Sequence, residues 1–166
     1  DRLASAILVP TSEQVARETI KELAEQVQTL SRKEIIEESL ANYGAIFICD
    51  TVEQAVDMAN DLAPEHLEVM MKDAMQYIGK LDNAGSVFLG QYSPEPLGDY
   101  YAGPNHVLPT SGTARFFSPL GVDAFIKKSS YICYTEQALR GAKDDIILLA
   151  EKERLTAHAN SIRVRF

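Results

Sequence analysis

The sequence predicts an α/β protein: a parallel-type sheet layered with helices, then a long irregular segment, then a C-terminal helical arm. Three observations carry this reading. Short apolar runs alternate with amphipathic stretches up to Gly90; helix-start signals directly follow two of those runs; and the rhythm stops from Gly90 to Pro119 before helical periodicity resumes. A chain of 166 residues with 46% hydrophobic composition can bury a core as one domain, or as one domain with an appendage.

Taken in order, residues 5 to 9 of "SAILVP" read as a short strand. Thr11 or Ser12 can then cap a helix, with Glu13 and Glu18 near its positive end and apolar residues at Val15, Ile20, Leu23, Val27 and Leu30. A second helix runs through "RKEIIEESLANYG", where Gly44 is a natural stop. "AIFICD" is a continuous apolar run suited to a strand covered on both faces. "TVEQAVDMANDLAP" opens with Thr51 and Gln54 in the spacing of a capping box. "HLEVMM" and "AGSVFLG" then read as strands, completing a β-α-β-α-β rhythm with parallel pairing.

From Gly90 to Pro119 lie most of the chain's prolines and only a short apolar triplet, "HVL". Structureless connections longer than ~12 to 15 residues are uncommon in compact domains unless they do something, so this loop points to function. The remainder, "GVDAFIKKSSYICYTEQALRGAKDDIILLAEKERLTAHANSIRVRF", reads as a short helix, a strand and a long helical arm.

A net charge of -8, a pI near 4.9 and the lack of any basic run argue against nucleic-acid binding, which draws on clustered Lys and Arg. The apolar runs fall far short of the ~20 residues of a membrane span, and no charged-then-apolar leader opens the chain. The expected location is cytoplasmic. Cys49 and Cys133 each sit inside an apolar run without CxxC spacing, which predicts buried free thiols. The chain begins with Asp1 rather than methionine, and is expected to be a piece of something longer.

The candidate chemistry gathers on few residues. His66 stands in "APEHLEV", where a helix pattern gives way to a strand pattern. Sites of open α/β sheets gather at the carboxyl ends of strands, so His66 reads either as a satisfied surface or capping histidine, or as a base tuned by the adjacent Glu65. Asp99 and His106 lie in "PLGDYYAGPNHVLPT". Asp99 is either a turn residue bonded to its own backbone, or a hard oxygen ligand brought beside an imidazole by a backbone that glycines allow to bend. The following "TSGTAR" offers hydroxyls and a guanidinium for a small-molecule ligand, but too little glycine for a phosphate cradle.

His158, in "EKERLTAHANSIR", shares a helical face with Leu155 and Ile162, so it faces a core or a partner. Glu153 stands ~140° away on an ideal helix, so the two converge only with distortion or a long reach. An arm of this length with an apolar stripe points to packing against a second subunit.

The segments "PEHLE", "AGSVFLG", "GDYYAGPNHVLPTSGTARFFSPL" and "LTAHANSIRVR", in this order, resemble histidinol dehydrogenase. The likeness runs over essentially the whole chain and covers the C-terminal part of that enzyme, under half of it. The resemblance implies a homodimeric, zinc- and NAD-dependent oxidation of L-histidinol through the aldehyde to L-histidine, the end of histidine biosynthesis. It gives Glu65 the role of activating water, His66 that of general base, and Asp99 and His158 those of zinc ligands. His158 comes from an arm swapped onto the neighbouring subunit. His106 and Glu153 contact substrate, as do Glu65, His66, Asp99 and His158.

The family's other two zinc ligands, a glutamine and a histidine, and its NAD-binding segment match nothing in this chain. No cofactor-binding residue is therefore assigned here, and the chain alone is expected to be inactive. The implied layout is an incomplete α/β domain over residues 1–120, part of a three-layer, Rossmann-like arrangement carrying the catalytic and metal loop, and a C-terminal helical dimerisation arm over residues 121–166. Two other classes compete. A non-catalytic α/β oligomerisation module would use loop and arm for assembly alone; a zinc hydrolase would explain the Glu-His pair and the metal but leave a nicotinamide without a role.

Overall fold

A serine starts the first long helix: Ser12 accepts a hydrogen bond from the Val15 amide at 3.4 Å, and α1 (Glu13–Gln26) follows. The computed structural model describes residues 1–166. The chain divides into two compact units, Asp1–Phe125 and Ile126–Phe166.

In the first unit, β1 (Ile7–Leu8) precedes α1 and pairs in parallel with β2 (Ala45–Ile46), which follows α2 (Lys33–Tyr43). Gly44 does end α2, with an extended φ of -76° rather than a left-handed turn. A Cβ there would stand 2.5 Å from the Leu40 carbonyl oxygen, so close approach of backbone demands the glycine. The run "AIFICD" is not covered on both faces: Phe47 and Ile48, just past the end of β2, are 41% and 54% exposed.

Thr51 caps α3 (Val52–Leu62) by accepting from the Gln54 amide at 3.2 Å, while Gln54 Oε1 accepts from the Asp50 amide at 2.8 Å. The reciprocal half of the capping box thus reaches one residue further back than the motif implies. After the left-handed Ala63, β3 (His66–Val69) and β4 (Ser86–Leu89) pair in parallel, His66 opposite Ser86 and Glu68 opposite Phe88. Their connection holds a 3-10 turn, Ala74–Lys80, tied to α3 by Asn60, whose amide donates to the Lys80 carbonyl and accepts from the Asp82 and Asn83 amides.

The strands therefore form two separate two-stranded parallel pairs. The buried apolar side chains of this unit are mostly small, among them Ala16, Ala59, Ala63, Ala74 and Ala114, with Phe88 the largest at 7% exposed. Large aromatic side chains such as Tyr92, Tyr100, Tyr101 and Phe116 stay exposed.

The segment after Gly90 is more regular than its composition suggests. It contains α4 (Glu95–Tyr100) and a 3-10 turn, Thr113–Arg115. Pro94 and Pro96 do not prevent α4, because the first turn of a helix needs no N–H donors for its own bonding. Arg115 donates to the Gly112 and Asp61 carbonyls, so its guanidinium secures the loop to the end of α3 rather than awaiting a ligand.

In the second unit, the strand expected around Tyr131 to Tyr134 does not form. Tyr131 and Ile132 are 95% and 86% exposed, and the unit offers no strand for them to pair with. Thr135 caps α5 (Glu136–Lys152) through the Ala138 amide. The arm is two helices rather than one: Arg154 turns the backbone at φ 61°, Leu155 donates back to Ala150, and α6 (Thr156–Arg163) begins. The hairpin closes on Ala150 and Ala159, 7% and 0% exposed, with a Glu151–Arg163 ion pair and Arg140 over the Phe166 ring at 4.5 Å. No helix is long and apolar enough to cross a membrane.

Candidate active site

Alternation along a strand puts His66 and Glu68 on one face of the β3–β4 pair, and the register sets Ser86 and Phe88 beside them. Helix α4 lies on this face. Gly98 rests on the Phe88 ring so closely that a Cβ would come within 2.6 Å of Phe88 Cε1. At the other end of α4, the Glu68 carboxylate accepts from the Glu95 amide at 2.8 Å. Helical spacing then sends Glu95 and Asp99, one turn apart, to the same side, where both are half-buried.

These constraints converge on one point. His66 Nε2 stands 3.7 Å from Glu95 Oε1 and 3.8 Å from Asp99 Oδ1. It is shielded from solvent and has no hydrogen-bond partner. One ligand atom from each of the three residues lies within 4.8 Å of the others. Partial burial, then the hydrogen bond and negative charge of Asp99, hold the Glu95 carboxyl above its ordinary range, against a smaller downward pull from His66. The Phe88 ring stands 6.1 Å from the imidazole, giving the cluster an apolar wall.

Separations of 3.7 and 3.8 Å are too long for hydrogen bonds. They approach the spacing of donors sharing one cation at roughly 2 Å each. An orphaned, shielded imidazole nitrogen facing two carboxylates is also a donor set of nitrogen and oxygen that fits zinc. The same arrangement suits an imidazole that takes up a proton beside carboxylates able to stabilise its cation.

The structure treats the other expected residues differently. Asp99 is a helical residue rather than a turn residue. Glu65 is half-buried; its carbonyl accepts from the Ser86 amide at 2.8 Å, while its carboxylate makes no ion pair with His66. His106 is exposed and outside the converging group. Glu153 caps the end of α5 and His158 lies in α6, both exposed and both in the second unit. The ideal-helix angle between them does not apply, since Arg154 and Leu155 break the helix there. The face that α6 buries is that of Ala159, so His158 is not part of its own unit's core.

Both cysteines are free, but Cys133 is exposed and Cys49 only half-buried, because the runs around them are not covered. Glu95 and Glu68 escaped the sequence reading. The signal for Glu95 was its four-residue spacing to Asp99 in "PEPLGDY", masked by two prolines and a glycine.

Comparison with known proteins agrees with the motifs. The histidinol dehydrogenase family model matches residues 1–166. The chain is 59% identical over its whole length to histidinol dehydrogenase of Clostridium acetobutylicum, and 57% identical to that of Caldanaerobacter subterraneus subsp. tengcongensis. It spans 38% and 39% of those relatives' lengths. The crystal structure of histidinol dehydrogenase from Elizabethkingia anophelis superposes with a TM-score of 0.79 at 37% identity, over 96% of this chain and 36% of that one. From its motifs, its α/β fold and these likenesses, the chain belongs to the histidinol dehydrogenase family.

Proposed function

We propose that the chain forms the C-terminal part of a cytoplasmic, homodimeric histidinol dehydrogenase that oxidises L-histidinol through L-histidinaldehyde to L-histidine with zinc and NAD. The observation that carries this reading is the convergence of His66 Nε2 and Asp99 Oδ1 at 3.8 Å, two residues that the family motifs single out independently.

In this reading His66 is the base rather than a metal ligand, and its Nε2, which has no hydrogen-bond partner, accepts the substrate's hydroxyl proton. Glu65, beside it at the start of β3, activates water for the aldehyde step. Asp99 holds zinc together with His158, which the swapped arm delivers to the partner subunit. His106 and Glu153 contact substrate. Zinc held there would supply a Lewis-acidic anchor for the substrate, and NAD would supply the hydride acceptor. The two β pairs belong to a Rossmann-like layered domain spanning residues 1–120, and residues 121–166 are the dimerisation arm. NAD contacts come from outside this chain, so the isolated chain is inactive.

The test is histidinol-dependent NAD reduction by the complete protein. Activity is expected, lost with a strong chelator and restored by zinc, and reduced by about two orders of magnitude or more in Asp99→Asn, where the carboxylate proposed to hold zinc is replaced by a neutral amide. Turnover unaffected by that substitution would favour a non-catalytic assembly module. Chelator-sensitive hydrolysis without NAD reduction would favour a zinc hydrolase.

A further inference from the structure

Helix α4 is six residues long, too short to persist on its own propensity, yet it aims both carboxylates of the candidate site. Its start lacks the usual support. Pro94 occupies the capping position with no side-chain acceptor, and Pro96 has no N–H. The Leu97 amide turns back to the Pro94 carbonyl at 3.0 Å, leaving the Glu95 amide as the donor of this first turn that needs a partner. That partner is Glu68, from the strand that carries His66.

A carboxylate accepting from a helix's first N–H is a charge-assisted bond, favoured further by the helix dipole. Here it crosses from strand to helix. It ties the element bearing the imidazole to the element bearing Glu95 and Asp99, while the Gly98–Phe88 contact seats the helix further along. The bond also holds Glu68 beside the Glu95 carboxylate, whose charge it opposes.

We propose that Glu68 is a positioning residue: by capping α4 from β3 it fixes the spacing of His66 against Asp99. The proposal deepens the reading of His66 and Asp99 as a catalytic base and a zinc ligand, and its consequence for turnover rests on that reading.

The test compares Glu68→Ala and Glu68→Gln in the complete dehydrogenase, reading steady-state kinetics with histidinol and amide hydrogen exchange over Glu95–Tyr100. Glu68→Ala is expected to lower kcat about tenfold to a hundredfold, as misplacement on the ångström scale does, with a much smaller change in KM. Exchange at the Glu95 amide rises with it. Glu68→Gln keeps an oxygen acceptor and is expected to recover both readouts to within about threefold of the parent enzyme. Unchanged exchange in Glu68→Ala overturns the proposal, as does a Glu68→Gln variant as damaged as Glu68→Ala, since either result removes the hydrogen bond as the cause. If the parent protein does not oxidise histidinol, the functional reading fails while the exchange measurement still decides whether Glu68 holds α4.

Discussion

The β3–β4–α4 patch and the α5–α6 hairpin both carry histidine and carboxylate side chains, but they present them in opposite ways. In the patch, strand register, a glycine contact and a strand-to-helix hydrogen bond force His66, Glu95 and Asp99 together, each half-buried. In the hairpin, the packing is between small residues, Ala150 and Ala159, and Glu153 and His158 are left exposed. The patch assembles its chemistry from its own fold. The hairpin leaves its chemistry exposed, as the arm role proposed for it requires.

The largest expected effect sharpens that contrast. On the proposed roles, His66→Asn and His158→Asn in the complete protein should each lower kcat by about two to four orders of magnitude, the range for removing a proton-transfer group, or more where a metal ligand is lost. Their effects on folding should part company. His158 is exposed within its unit, and its replacement should change unfolding free energy in the metal-free protein by less than about 0.5 kcal/mol. His66 leaves a shielded nitrogen without a partner, so its replacement should be neutral or mildly stabilising there. Kinetics with chelated and zinc-loaded enzyme, beside thermal unfolding, would check both. A His158→Asn variant that unfolds far more easily without metal would break the comparison, since it would make the hairpin histidine structural.

A second, smaller effect tests how tightly the patch is built. Alanine normally favours a helix over glycine by roughly 1 kcal/mol. At Gly98 the sign should reverse, because the added Cβ would meet the buried Phe88 ring at 2.6 Å. Gly98→Ala is expected to destabilise by about 1 to 3 kcal/mol, as overpacking does. It should lower kcat as well, because α4 must lift to make room. A Gly98→Ala protein as stable as its parent would show that α4 is loosely seated, and the patch would then be no more self-assembled than the hairpin.

What was legible in the sequence follows the same division between local and non-local causes. Ser12 and Thr51 announced their helices because capping is decided within three residues. The strands at His66–Val69 and Ser86–Leu89 were legible from apolar runs bounded by turn residues. The sequence overstated "AIFICD" and the run around Tyr131, because an apolar run says nothing of what covers or pairs with it. The break at Arg154 carried no glycine to mark it. At the site, His66 and Asp99 stood out by residue type. Glu95 did not, since prolines that are tolerated in a first helical turn read as loop, and the i,i+4 pairing appears only once that turn is recognised as a helix.

The smallest effect concerns the charge that the patch concentrates. Four groups face one another there: Glu68 and His66 from β3, Glu95 and Asp99 from α4. Burial and Asp99 raise the Glu95 carboxyl above its ordinary value, so the folded protein binds that proton more tightly than the unfolded chain does. The associated stability is present in full below the ordinary glutamate value and is lost as pH rises through the raised folded value. Glu95→Gln fixes the neutral form. The metal-free variant should therefore lose less stability than its parent between acid and neutral pH, by under about 1 kcal/mol, since a third of the side chain still meets solvent. Thermal unfolding of both metal-free proteins across that range would show it. A parent that gains stability over Glu95→Gln as the pH rises would mean that the pull of His66 on the Glu95 carboxylate outweighs the crowding of carboxylates. The patch would then be held by attraction rather than by packing against repulsion.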